Sequence, residues 1–318
     1  MAELSNLNYP TTQNQALYFV TKWSNHFCST FLPEWMVQAD RVYHHHTNTS
    51  QTYEELFATL AIYYIAIFVW TTLVDLFISR PLTLLACKIS GKDTKNSKKI
   101  AWFMTHALFN MLVVVCSWDE ALEVFISPMT KGFEPPRWWG SHPGALFGAI
   151  AIGAFHVHHF AFYTVSLEDV IHHLINAGLV VVIGALCPWG RFTALSNWAM
   201  CGIPGGLNYF ALWAYKFGWM SRMAQKNFNR FLNICLRYPI QALVTYLLFI
   251  VVVDGSTVPE MHWLTAVTVA IGATLHTLNS LYYGDQVVGN YHVEAEATRK
   301  ASKSPPTDRK KDDDKKGE

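Results

Sequence analysis

Residues Ala154–Gly178 read AFHVHHFAFYTVSLEDVIHHLINAG. Two apolar stretches with clustered histidines meet at a short polar turn, Tyr163–Ser166. Ser166 is a natural helix N-cap, and Asp169 stands where a capping box places its acidic partner. The stretch therefore predicts two antiparallel helices that are neighbours in space. At a rise of about 1.5 Å per residue, His172 and His173 fall about 10 Å beyond the cap, with His158 and His159 a similar distance before the turn.

Composition sets the solvent for these helices. The chain has 318 residues, of which 51% are hydrophobic and 15% charged, and its net charge is +1. That balance predicts an all-α, polytopic membrane helical bundle and gives no support for nucleic-acid binding. Hydropathy places about seven spans at Glu55–Ser79, Ile100–Trp118, Pro143–Val165, Leu167–Cys187, Leu195–Gly218, Leu232–Val253 and His262–Tyr283. The polar start MAELSNLNYPTTQNQ does not read as a secretory signal. The expected organisation is a lumenal N-terminal segment at 1–54, a transmembrane domain at 55–284 and a largely disordered cytosolic tail at 285–318.

Basic residues orient the spans. Arg80, Lys88, Lys92, Lys95, Lys98 and Lys99 follow span one; Lys216, Arg222, Lys226, Arg230 and Arg237 follow span five. The opposite loops carry Asp119, Glu120, Glu123, Asp254 and Glu260. The positive-inside rule then puts the N-terminus in the lumen and the C-terminus in the cytosol. Asn48-Thr49-Ser50 is a glycosylation sequon on the expected lumenal side. Lys315 and Lys316 in the terminal KKGE have the placing of a dilysine retrieval signal, which predicts the endoplasmic-reticulum membrane.

With this topology His106, His156, His158, His159, His172, His173 and His276 share a level in the cytosolic half of the membrane. Ionisable side chains at such depth are costly and pair with one another or face a cavity. Neutral imidazole can act as base, nucleophile, metal ligand or interhelical hydrogen-bond partner. Adjacent histidines on a helix point about 100° apart, so one of each pair suffices for a common cavity. Asp169 is spaced to orient His172 or His173. In NWAMCGIPGGLNYFALWAYKFG, residues Asn197–Gly218, Pro204, Gly205 and Gly206 interrupt a span, either as a packing kink or as a cavity wall that would include Asn208 and Tyr209. No C-x-x-C pair is present; Cys116 and Cys187 are a candidate disulfide on the lumenal side.

The His172–His173 pair, the stretch KKIAWFMTHALFN at Lys98–Asn110 behind a basic loop, and the many-span layout resemble the TLC-domain family over roughly Leu56–Tyr283. That family groups translocation-associated membrane proteins, ceramide synthases and the ceroid-lipofuscinosis protein. The resemblance implies a helical bundle of the endoplasmic reticulum around an elongated lipid cavity, with His172 and His173 at its heart. The ceramide-synthase branch carries a threonine soon after HH and an HDxxD pattern in the next span. This chain has HHLINAG and CGIPGGLNYF instead, so the implied place is outside that branch.

The leading expectation is binding of a membrane lipid or acyl chain, or control of membrane lipid composition, through a cavity lined by His106, His156, His158, His159, His276, Asn208 and Tyr209. The alternative is an acyl-CoA-dependent acyltransferase or fatty-acyl elongase, with acyl-CoA as substrate and His172, His173 and Asp169 catalytic. Elongases carry HxxHH where this chain has HVHH. The histidine spacings of di-iron hydroxylases are missing, and no metal or other cofactor is predicted. The seventh span has no lysine for a retinal Schiff base.

Overall fold

A computed structural model describes residues 53–130, 143–174, 191–253 and 263–303. Every regular element among them is helical: α1 Tyr53–Val74, α2 Arg80–Ile89, α3 Ser97–Cys116, α4 Trp118–Thr130, α5 Pro143–Phe162, α6 Leu167–His173, α7 Arg191–Asn197, α8 Ile203–Lys216, α9 Arg222–Leu232, α10 Tyr238–Val253 and α11 Trp263–Lys303. Among the described residues three runs are long and apolar enough to cross a membrane, namely Tyr64–Ile89, Thr94–Cys116 and Arg222–Val253; Gly148–Phe162 is a shorter apolar helix. Large apolar side chains such as Phe77, Leu85, Ile89, Tyr246 and Val253 point outward. Water would penalise such a surface; lipid would not.

Prolines shape three of the long rods in one way. Wide π turns at Asp75–Ser79, Trp198–Gly202 and Asn233–Arg237 each end one residue before Arg80-Pro81, Ile203-Pro204 or Tyr238-Pro239. In each case the residue preceding the proline donates its N–H to the carbonyl five back: Arg80 to Asp75, Ile203 to Trp198, Tyr238 to Asn233. Proline lacks an N–H and its ring collides with the carbonyl four residues earlier. Widening the preceding turn makes room for the ring and lets the rod continue.

This changes several boundaries. Arg80 and Lys88, expected in a loop after span one, lie on α2, in one rod with α1. Arg222, Lys226, Arg230 and Arg237, expected in a loop, lie on the rod formed by α9 and α10. An unexpected helix, α4, follows α3 directly, and the Glu123–Arg191 ion pair ties it to α7. The tail expected to begin at 285 as largely disordered starts as a helix instead, because α11 runs on to Lys303. The reason is a grip from α9: Arg222 pairs with Glu294 at 3.0 Å, Lys226 donates to the Asn290 carbonyl at 3.3 Å, and Arg230 lies 4.4 Å from the centre of the Tyr291 ring. These residues recur at helical spacing on both rods, so one face serves all three contacts.

The central rod is α3, which packs against α8, α5 and α2. One core gathers Trp102, Phe109 and Val113 with Ile67 of α1 and Ile150 and Phe155 of α5. A second joins α4, α7, α10 and α11 through Val124, Leu195, Val244 and Val269. The approach of α3 to α8 is close: a Cβ on Gly205 would stand 2.7 Å from Asn110 Nδ2 and one on Gly206 would stand 2.8 Å from Met111 Sδ. The glycines therefore serve close packing, and Gly205 also lines the cavity with Asn208 and Tyr209, while the widened turn lies upstream of them at Trp198–Gly202. At the ends of α2 and α8, Gly91 and Gly218 take positive φ and close the helix with bonds to the preceding turn.

Candidate functional site

The turn between α5 and α6 does what its sequence predicts, with α5 ending at Phe162 and α6 starting at Leu167. It folds the two histidine clusters onto each other. His159 Nδ1 lies 2.9 Å from His173 Nε2. The His156 ring packs edge-on against His173 with centroids 4.3 Å apart, and its Nδ1 donates to the Ile152 carbonyl at 2.5 Å. That bond fixes the proton on Nδ1 and makes Nε2 the basic nitrogen of His156.

His106 reaches the same place from α3. Its ring stacks on Tyr209 of α8 at 4.0 Å and stands edge-on to Trp102 and Phe155 at 3.8 and 4.1 Å. Trp102 also stacks on His159 at 3.8 Å. Imidazoles enclosed by aromatic faces are dry, and a dry site strengthens every hydrogen bond made inside it.

These side chains line one cavity of about 510 Å³, within the range of small-molecule sites. His106, His156, His159, His173, His276, Asn208 and Tyr209 all line it. The rest of the wall mixes two kinds of side chain: apolar Phe103, Phe109, Val113, Ile152 and Phe155, and polar Asn110, Asn197, Asn229, Arg237 and Asn279.

His158 departs from expectation. It is fully buried but faces away from the cavity, against Phe68 and Phe162. The helical angle between neighbours accounts for this, since His159 takes the cavity side and turns His158 toward α1. The side chains of His172 and Asp169 lie outside the described residues, as does Cys187, the candidate partner of Cys116. No group of three His, Cys, Asp or Glu among the described residues is arranged to hold a metal ion.

Across the cavity His276 of α11 pairs with Ser196 of α7, Nδ1 to Oγ at 2.7 Å, and Ser196 in turn reaches Gln241 Oε1 of α10 at 3.2 Å. This network is buried and joins three rods, as intramembrane polar residues commonly do.

Two charged residues have roles that the sequence reading missed. Asp75 is fully buried. Its Oδ2 accepts from Arg80 Nη2 at 2.7 Å and Nε at 3.1 Å, while Oδ1 accepts from Tyr163 at 2.8 Å and Thr105 at 3.1 Å. The carboxylate thus ties the α1–α2 rod to α3 and to the turn that orients His159. A lone aspartate within an apolar run was the available signal.

The second is Arg237. Pro204 cannot bond the Met200 carbonyl, and Ile203 bonds Trp198 rather than Ala199. Arg237 supplies both missing partners, with Nη2 to Met200 O at 3.1 Å and Nε to Ala199 O at 3.3 Å. The arginine expected to mark a cytosolic loop instead repairs a proline break beside the cavity. Comparison with protein-family models, curated proteins and solved structures returns no match to this chain.

Proposed function

We propose that this is a multi-pass membrane protein of TLC type, outside the ceramide-synthase branch, whose histidine-lined cavity holds a membrane lipid or acyl chain. Binding that lipid, or controlling membrane lipid composition through it, is the function the geometry supports best. One observation carries the reading: imidazoles from α3, α5, α6 and α11 meet in a single cavity whose remaining wall is partly aromatic and aliphatic. An apolar chain would lie along Phe109, Val113 and Ile152, with its polar end among the histidines and asparagines. The proposal includes seven spans, residence in the endoplasmic reticulum, a lumenal N-terminus and a cytosolic C-terminus.

The test is lipid extraction from the purified protein followed by mass spectrometry. A stoichiometric acyl chain is expected from the natural sequence and a strongly reduced amount from Ala149→Phe, which fills the cavity wall. Absence of any acyl chain from the natural protein sinks the reading. Shift of Asn48 on glycosidase treatment tests the orientation separately.

A second reading, acyl transfer from acyl-CoA, is favoured by the His159–His173 pair. In a 2.9 Å contact one neutral ring donates its N–H to the other's lone pair, so the donor ring keeps its second nitrogen as a free lone pair that can draw a proton from an attacking group. Labelled acyl-CoA should then yield a lipid product, or an adduct, that disappears in His173→Ala.

A further inference from the structure

We propose that the part of the cavity wall formed by Asn208 of α8, Asn229 of α9 and Arg237 of the Asn233–Arg237 turn is a seat for an anionic group: the phosphate or carboxylate of the ligand. The inference rests on the preceding reading for the apolar part of that ligand, but its own support is separate.

The first support is the balance of charge. The cavity wall presents the Arg237 guanidinium and no aspartate or glutamate among the described residues. Arg237 makes three hydrogen bonds, to two backbone carbonyls and to Asn233 Oδ1 at 2.7 Å, and among the described residues no carboxylate pairs with it. Arg80 is the contrast, because Asp75 neutralises it at 2.7 Å. A guanidinium that lines a cavity and has no carboxylate partner favours any anion that can reach it. Each Nη carries two N–H groups and spends one on the protein, which leaves donors on both for a planar, two-pronged contact.

The second support is the direction of the neighbouring amides. Arg237 can only donate, so Asn233 must offer it Oδ1 and turn Nδ2 the other way. That Nδ2 donates to the Asn229 carbonyl at 2.8 Å and to Asn229 Oδ1 at 3.0 Å. Asn229 thereby points Oδ1 at Asn233 and turns its amide N–H₂ the other way. Asn208 is in the same condition, since its Oδ1 accepts from Gln225 Nε2 at 3.0 Å. Asn208, Asn229 and Arg237 all line the cavity. A set of donors whose acceptors are already engaged matches a phosphate or carboxylate and mismatches a hydroxyl-only headgroup.

The experiment uses the full chain in detergent micelles and three labelled probes: oleate, oleyl alcohol and inorganic phosphate. Asn229→Asp is the informative variant, because it keeps the oxygen that Asn233 needs and replaces the N–H₂ by a negative charge; Arg237→Lys is measured beside it, and thermal melting confirms that each folds. The natural protein is expected to bind oleate about tenfold or more tightly than oleyl alcohol, and Asn229→Asp to lose that preference while still binding the alcohol. Equal binding of oleate and alcohol, or an undiminished preference in Asn229→Asp, overturns the anion seat and leaves the acyl-chain cavity standing. Phosphate binding that Asn229→Asp abolishes, without binding of either chain compound, supports the seat as a free-anion site and overturns the acyl-chain reading. Failure of all three probes to bind overturns both.

Discussion

His159 and His173, fourteen positions apart and on opposite arms of a helical turn, share a hydrogen bond of 2.9 Å. Neither ring could be placed there by its own helix; the turn Tyr163–Ser166 brings them together, and Tyr163 is itself held by Asp75. The pair couples the two arms of the cavity wall. His173→Ala and His159→Ala should each lower thermal stability in detergent by about 1–2 kcal/mol, the scale of interhelical hydrogen bonds within membranes. The double variant should cost less than their sum. His158→Ala is the control: it should lower stability by leaving a hole against Phe68 while the bound lipid is retained.

Asp75 should be among the most sensitive positions in the chain. Asp75→Asn keeps the shape but leaves Arg80 facing a neutral amide. Breaking such a pair costs about 3–5 kcal/mol, read as loss of folded protein on size-exclusion chromatography and a lowered melting point. Removing both charges in Asp75→Asn with Arg80→Met should recover part of the loss.

The role assigned to Arg237 makes a coupling test available. Pro204→Ala restores an N–H able to bond Met200 O. Arg237→Met should therefore destabilise the natural protein more than it destabilises Pro204→Ala, with a coupling of about 1–2 kcal/mol between the two sites. Additive effects would show that the guanidinium does not serve the freed carbonyls.

Two glycines on α11 should behave in opposite ways. A Cβ on Gly284 would lie within 2.3 Å of Tyr238 Cε1 and closer to its hydroxyl, whereas a Cβ on Gly289 meets nothing within 4 Å. Gly284→Ala should be destabilising by about 1–3 kcal/mol through overpacking, and Tyr238→Ala should relieve part of it. Gly289→Ala should be neutral or stabilising by up to about 1 kcal/mol, the helix-propensity difference. Melting curves of the two single variants, compared directly, check the pair.

Much of the architecture is local, and local features were legible. Ser166 set the start of α6, the apolar runs marked the rods, and Gly218 closed α8. The meeting of His159 and His173 followed from their similar distances to one shared turn, and that of His106 from its depth in its own span. Two readings went wrong. Pro204 was read as interrupting a span, but the π turn before it, like those before Pro81 and Pro239, lets the rod run on. Basic residues were read as loop residues, but Arg222, Lys226 and Arg230 hold α11 and Arg237 faces the cavity.

The sequence by itself determined that the chain is helical, that its helices carry apolar surface, and that several histidines sit at matching heights, because these depend on spacing along one strand of backbone. Only the tertiary structure decided which way each ring faces, that His158 turns from the cavity while His159 enters it, and that Arg237 meets carbonyls orphaned on another rod. Those outcomes depend on how rods are rotated and paired, and rotation is fixed by packing between residues far apart in the chain.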